Sequence, residues 1–208
     1  MVWTWLKRNV EYNLGPQLHH IYLVENPTNV GASMSKKGKE PSHQCVYLDT
    51  DHIQDFLWGK PDEIRAANQI FQKLRNSIKN PDIKVRIPFV VVGELINNLV
   101  RDKKDNLISK DDMDSILHKF LTLQNELNAD LTPPGKCVYF AACELIKKDD
   151  RVAGSDALIV CQALCDPYSS HLLTTDTDIL YSTAIQELEK DMRKQGKRKL
   201  TLRIASEF

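Results

Sequence analysis

Two aspartates follow short apolar runs in the sequence, at positions where an α/β fold places catalytic side chains. Asp49 follows residues 46–48 and Asp176 follows residues 171–173, and each run is typical of a buried strand. In an open α/β sheet, ligands bind at the carboxyl ends of the strands. We therefore expect both carboxylates to project into one crevice, although either residue alone could simply cap a helix.

Two further acidic residues are expected at the same edge, because each lies near the start of a predicted helix. Glu94 interrupts an apolar run over residues 89–96, where a charge needs a partner or a metal. Asp156 begins a helix of small and apolar residues. Four converging carboxylates repel one another and raise one another's pKa unless a cation neutralises them. Oxygen ligands suit Mg²⁺ or Mn²⁺, so we predict catalytic, metal-binding roles for Asp49, Glu94, Asp156 and Asp176.

Three nearby residues are expected to complete this site. Asp178 is a fifth candidate metal ligand, and Asp51 adds a carboxylate beside the first one. The Thr174 hydroxyl is expected to orient Asp176 or a phosphate oxygen from outside the metal's ligand set.

A basic stretch near the end of the chain is a candidate nucleic-acid contact. Lys194, Lys197 and Arg198 could hold the phosphate backbone. The alternative is that these side chains stabilise the carboxyl end of a helix through its dipole.

Composition excludes several classes of protein. The 208 residues carry 28 basic and 28 acidic side chains, so nucleic-acid binding must rely on local patches or metal ions. The five cysteines include no CxxC pair, which indicates reduced thiols. No apolar stretch has the length of a signal peptide or a membrane span. We expect a soluble, cytoplasmic protein that makes no membrane contact.

The apolar periodicity predicts strands that alternate with helices. Strands are predicted at 46–48, 85–87, 171–173 and 200–204. Six helices are predicted. The first begins near Pro61, the second contains Val91, and the third begins at a capping box at Ser109. The fourth covers about 137–148, the fifth begins at 154, and the sixth ends at about 195. This alternation predicts a three-layer α/β/α fold with a mostly parallel sheet.

Four segments resemble the successive acidic motifs of PIN-domain nucleases, including the VapC-like ribonucleases. They are residues 46–51, 90–95, 155–163 and 172–178, in the order and spacing of that family. The resemblance covers about residues 45–205. Two features depart from the family pattern: the toxins are typically shorter, and Asp51 stands where Asn or Ser is common.

The resemblance implies a PIN-like fold and metal-dependent endonuclease activity, usually on RNA, with DNA as the alternative substrate. It also implies an antitoxin-like protein partner. Two other functions stay open: a phosphatase of the haloacid-dehalogenase type, with Asp49 as nucleophile and Asp51 as acid/base, and a PIN-like scaffold that binds RNA or protein without cleaving. A 3′–5′ exonuclease fits less well, because Asp51 replaces the Glu of its opening motif.

The first 44 residues differ from the rest and are assigned to an extension of a nuclease domain at 45–208. Trp3, Trp5, Leu6 and Tyr22 are large apolar side chains whose burial is favourable. We expect this segment to pack on the domain or on a second copy in a homodimer, with a polar run at 31–43 left mobile.

Overall fold

The computed structural model describes residues 43–152, 154–194 and 199–203. The expected packing of the amino-terminal extension, apart from His43 and Gln44, therefore lies outside the described residues. So do the candidate contacts Lys197 and Arg198.

Five parallel strands form one sheet in the order β3-β2-β1-β4-β5. The strands are β1 (Gln44–Leu48), β2 (Ile83–Pro88), β3 (Asp130–Thr132), β4 (Ser169–Leu173) and β5 (Thr201–Arg203). Helices flank the sheet, which confirms the predicted three-layer α/β/α architecture of PIN-like type. Strand β1 is central, and Cys45 to Leu48 are buried on both faces, as expected for a parallel strand covered by helices.

Eight helices connect and cover the strands within the described part of the chain. They are α1 (Thr50–Trp58), α2 (Pro61–Ser77), α3 (Phe89–Lys104), α4 (Lys110–Glu126), α5 (Lys136–Lys148), α6 (Gly154–Cys165), α7 (Thr177–Leu180) and α8 (Thr183–Lys194). The predicted capping box at Ser109 and Asp112 is present at the start of α4. Among the described helices, none combines the length and apolar character needed to cross a membrane.

Helix α1 was not predicted from the sequence, and it places the residues after β1. Asp49 caps its amino terminus, and its Oδ1 accepts a hydrogen bond from the Thr50 N–H at 2.7 Å. Gly59 is the carboxyl-terminal cap of the helix, and a Cβ there would lie 2.6 Å from the Asp55 carbonyl oxygen, so a larger residue would require a shift of the backbone. The aspartate after β1 is thus fixed in a sharp strand-to-helix turn.

Strand β3 was also not predicted. It has three residues and pairs with β2 at the edge of the sheet, where Arg86 lies opposite Asp130. Asn128 precedes it with φ 44°, a left-handed conformation that Asn tolerates better than most residues. A segment this short carries no detectable alternation of apolar and polar residues.

Candidate active site

The candidate site lies where the strand order reverses around β1. The chain places β2 on one side of β1 and β4 on the other, and the crevice between the carboxyl ends of β1 and β4 is the usual ligand site of such a sheet. Asp49 and Thr174 are the first residues after these strands. Thr174 Oγ1 donates to Asp49 Oδ2 at 2.6 Å, and the Asp49 N–H donates to the Leu173 carbonyl at 3.1 Å.

The Asp49 carboxyl group is buried among other acids. Its residue is 3% exposed, and burial raises its pKa from 3.8 to about 7. Hydrogen bonds from Thr174 and the Thr50 N–H oppose that rise, whereas the charges of Asp51 and Asp156 add to it. The charged side chains with the largest effects on Asp49 are therefore both carboxylates.

Glu94 reaches this cluster through a threonine on the neighbouring helix. It lies in α3, which begins directly after β2, and it is partly buried. Its Oε2 accepts a hydrogen bond from Thr50 Oγ1. The charge in an apolar run therefore has a protein partner, and that partner is the residue next to Asp49.

Asp51 and Asp156 approach Asp49 from two different segments. Asp51 lies in the first turn of α1, and its Oδ2 accepts a hydrogen bond from Thr175 Oγ1 at 2.7 Å. Asp156 lies in the first turn of α6 and is partly buried. Its effect on the pKa of Asp49 shows that the two carboxyl groups interact. Asp49 and Asp51 thus lie together with Asp156, which is far from them in sequence, and we call this cluster the acidic edge.

Asp176 joins the edge through its backbone. Its N–H donates to Thr174 Oγ1 at 3.0 Å, so this hydroxyl lies between Asp49 and the segment that carries Asp176. Asp176 Oδ1 accepts from the Asp178 N–H at 2.7 Å and thereby caps α7. Thr174 therefore contacts Asp176 through the backbone and Asp49 through the carboxylate, and its expected role in orienting Asp176 or a phosphate oxygen stays a prediction.

The donors present suit a hard divalent cation. Across the described residues, no three His, Cys, Asp or Glu side chains converge closely enough to hold a metal ion by themselves. Mg²⁺ is usually held by one or two carboxylates while it keeps several waters. A buried aspartate beside Asp51 and Asp156 provides oxygen donors of that kind, and a cation there would offset their repulsion. The residues fit Mg²⁺ or Mn²⁺.

The basic candidate Lys194 has a local partner. It is exposed at the end of α8, and its Nζ donates to Asp191 Oδ1 at 2.8 Å on the same helix. This pairing is what a solvated helix end provides, and among the described residues Lys194 makes its ion pair with Asp191 and not with the acidic edge. Its role in nucleic-acid binding stays a prediction.

Two threonines of the site were missed in the sequence. Thr50 donates to Glu94 and Thr175 donates to Asp51, so each holds a carboxylate from another segment. Their signal was present in the runs Asp-Thr-Asp and Thr-Thr-Asp. The pairing of either threonine with its acid depends on the order of the strands and is not encoded locally.

One comparison shows what this chain is similar to in structure. No family model and no curated protein matches it. Among solved structures, a chain of VapBC2 from Rickettsia felis, crystallised bound to a DNA fragment from its promoter, matches with a TM-score of 0.50. The two chains are 18% identical, and the match covers 77% of this chain and 98% of the other. The likeness shows a shared fold.

Proposed function

We propose that this chain is a PIN-like, metal-dependent endonuclease that hydrolyses phosphodiester bonds in RNA, with DNA as the alternative substrate. The observation that carries this proposal is the buried Asp49 at the reversal of the strand order, with Asp51 and Asp156 as its charged neighbours. A buried acid whose charged neighbours are carboxylates favours the binding of an external cation. The four acidic motifs and the shared fold support the same conclusion.

The residues of the edge have distinct proposed roles. Asp49 and Asp156 are direct ligands of Mg²⁺ or Mn²⁺, and Glu94, Asp176 and Asp178 bind it directly or through water. When bound, the metal supplies a water of lowered pKa and neutralises charge on the phosphate oxygens. Thr174 and the Thr50 N–H donate to the two oxygens of Asp49 and so fix the orientation of this carboxylate. Thr50 holds Glu94 in the same way.

Glu94 separates this proposal from a phosphatase of the haloacid-dehalogenase type. Such an enzyme requires the two aspartates after β1 but has no task for Glu94. In this chain Glu94 accepts a hydrogen bond from Thr50 and so belongs to the same cluster. The nuclease therefore accounts for one more residue of the site than the phosphatase does.

The partners of the protein follow from the structural neighbour and are also proposals. VapBC2 was crystallised as a complex on promoter DNA. We propose by analogy that this chain assembles with an antitoxin-like protein and acts in the cytoplasm. A homodimer is a further proposal, which sedimentation of the full chain tests.

Cleavage of single-stranded RNA in the presence of Mn²⁺ tests the activity. We expect the wild-type chain to cut the RNA internally, and chelation of the metal to stop it. Asp156→Asn keeps the shape of the side chain and removes a ligand charge, so the rate should fall by at least about a hundredfold, the upper end of the loss caused by changes outside a metal's ligand set. Asp111→Asn, an exposed acid in the first turn of α4, is the matched control.

Para-nitrophenyl phosphate is tested in parallel. If it is hydrolysed rapidly while the RNA stays intact, the phosphatase becomes the better assignment and the nuclease is contradicted. RNA binding without cleavage of either substrate would indicate the non-cleaving scaffold. Undiminished cleavage by Asp156→Asn would show that Asp156 only begins a helix.

A further inference from the structure

An arginine is held at the border of the acidic edge by a carboxylate. Arg151 lies in the connection between α5 and α6, three residues before the start of α6. Its Nε and Nη2 donate to the two oxygens of Asp149 at 2.9 and 2.8 Å. A guanidinium group held by two bonds keeps a fixed orientation, which a lysine cannot reproduce.

The outer side of this guanidinium group is available to a ligand. The Arg151 side chain is 55% exposed, while that of Asp149 is 7% exposed. Nη1 donates to no group in the described part of the chain. The hydrogen bond and charge of Asp149 raise the pKa of Arg151, and the more distant Asp178 adds to the rise. Ser182, which lies shortly after α7, donates to the same Asp149 oxygen as Arg151, so Arg151 lies beside the segment that carries Asp178.

The same carboxylate binds the residue that follows an exposed aromatic side chain. Ser182 is fully buried, and its Oγ donates to Asp149 Oδ2 at 2.8 Å, the oxygen that also accepts from Arg151. The preceding residue, Tyr181, is 68% exposed, and its N–H donates to the Thr177 carbonyl at 3.0 Å. Tyr181 therefore lies one helical turn from the acids at the start of α7.

We propose that Arg151 and Tyr181 form a binding rim for single-stranded nucleic acid, an inference that rests on the proposed function. Arg151 contacts a backbone phosphate, and Tyr181 stacks on a base. Proteins that bind single strands combine these two contacts. A duplex base is already stacked on both faces, so the rim selects single strands. Asp149 and Ser182 act as positioning residues for both groups.

Fluorescence anisotropy with a labelled oligouridine of about 12 nucleotides, a length within the site sizes of single-strand binders, tests the rim. The full chain carrying Asp156→Asn serves for binding, so that the probe stays intact, and wild type serves for cleavage. Arg151→Gln should weaken binding by about tenfold and reduce the slope of log K against log salt by about 0.7, the value for one phosphate. Arg151→Lys should recover the salt slope but only part of the affinity.

Two variants of Tyr181 test the aromatic contact. Tyr181→Ala should weaken single-strand binding by about fivefold or more, as the loss of one stacked base does, whereas Tyr181→Phe should bind like the parent. Neither change should affect binding of a duplex of equal length. Arg75→Gln, which breaks an ion pair with Glu126 between α2 and α4, and Tyr139→Ala, an exposed tyrosine on α5, are matched controls that should change nothing.

Three results of the binding measurements overturn the rim. They are an unchanged affinity in both Arg151→Gln and Tyr181→Ala, an equal loss with Tyr181→Phe, and an equal dependence of duplex binding on Tyr181. Cleavage that does not depend on either residue would support the proposed nuclease activity and contradict the rim. If the Arg151 and Tyr181 variants change affinity as expected but the wild type does not cleave RNA, the rim is supported and the proposed nuclease activity is contradicted.

Discussion

Two buried carboxylates lie beside the central strand, and among the described residues a cationic side chain pairs with only one of them. Asp166 has a side chain that is 6% exposed, and it accepts from Arg86 Nη1 at 2.6 Å and from the Tyr47 hydroxyl at 3.0 Å. Asp49, two residues beyond Tyr47, has Asp51 and Asp156 as its charged neighbours. Asp166 is part of an internal ion pair, whereas the donors to Asp49 in the described part of the chain are the neutral Thr50 N–H and Thr174 hydroxyl.

This difference in charged neighbours indicates that Asp166 contributes to stability, whereas Asp49 is suited to function. Removing a buried charge from water costs several kcal/mol unless a partner offsets it. The Arg86–Asp166 pair offsets that cost within the chain and fixes the connection from α6 to β4. The acidic edge leaves the cost unmet, which raises the pKa of Asp49 to about 7. We infer that the first cluster holds the fold and the second binds an external cation.

Breaking the internal pair should give the largest effect on stability. Arg86→Met leaves the buried Asp166 charge with the Tyr47 hydroxyl as its remaining donor on Oδ2, and we expect the free energy of unfolding to fall by about 3 kcal/mol. Urea denaturation measures this as a lower midpoint with an unchanged slope.

A double variant distinguishes charge from packing. Asp166→Asn keeps an Oδ1 acceptor for the Tyr168 N–H, so Arg86→Met with Asp166→Asn should be less destabilised than the sum of the single variants. Additive losses would contradict the pairing. Metal-dependent cleavage by Arg86→Met, measured well below its melting temperature, should stay at the wild-type level.

Neutralising the buried acid of the site should have a smaller effect of opposite sign. The pKa of Asp49 is raised from 3.8 to about 7, so the protonated group favours the folded state. Its contribution is complete below about pH 4 and is lost as the pH rises to about 7. We expect Asp49→Asn to be more stable than wild type by about 2 kcal/mol at pH 8 without metal, and by almost nothing at pH 4.

Paired denaturation curves at the two pH values measure this difference. Asp111→Asn, an exposed acid, should show a difference of less than about 0.5 kcal/mol between them, as surface changes usually do. A stability gain by Asp49→Asn that is equal at pH 4 and pH 8 would contradict the raised pKa. Added Mn²⁺ should stabilise wild type and have little effect on Asp49→Asn.

The strands of the site could be predicted because their signals are local. The apolar run 46–48 ends at an aspartate, and so does the run 171–173 after two threonines. A parallel sheet then brings both ends to one edge. Helix α1 was missed although Asp49 was recognised as a possible helix cap, because the helix has 9 residues, fewer than the stretch over which helical periodicity is usually read.

The contacts that distinguish the two carboxylates could not be predicted. Arg86 and Asp166 are 80 residues apart, and Thr50 and Glu94 are 44 apart. Each pair depends on the neighbours that the order of the strands brings together. The sequence marks Asp49 and Asp166 equally as aspartates after apolar segments, and only the fold shows which one has an arginine.

Anomalous diffraction from crystals of the full chain soaked in Mn²⁺ tests the central claim most directly. The two-region account predicts a manganese peak between the carboxylates of Asp49 and Asp156 at about 2.0–2.2 Å from an oxygen of each, with waters completing the coordination. It predicts no peak at Asp166, whose charge Arg86 already offsets. A fully folded protein that binds no manganese at this edge, or binds it elsewhere while still cleaving RNA, would contradict the account.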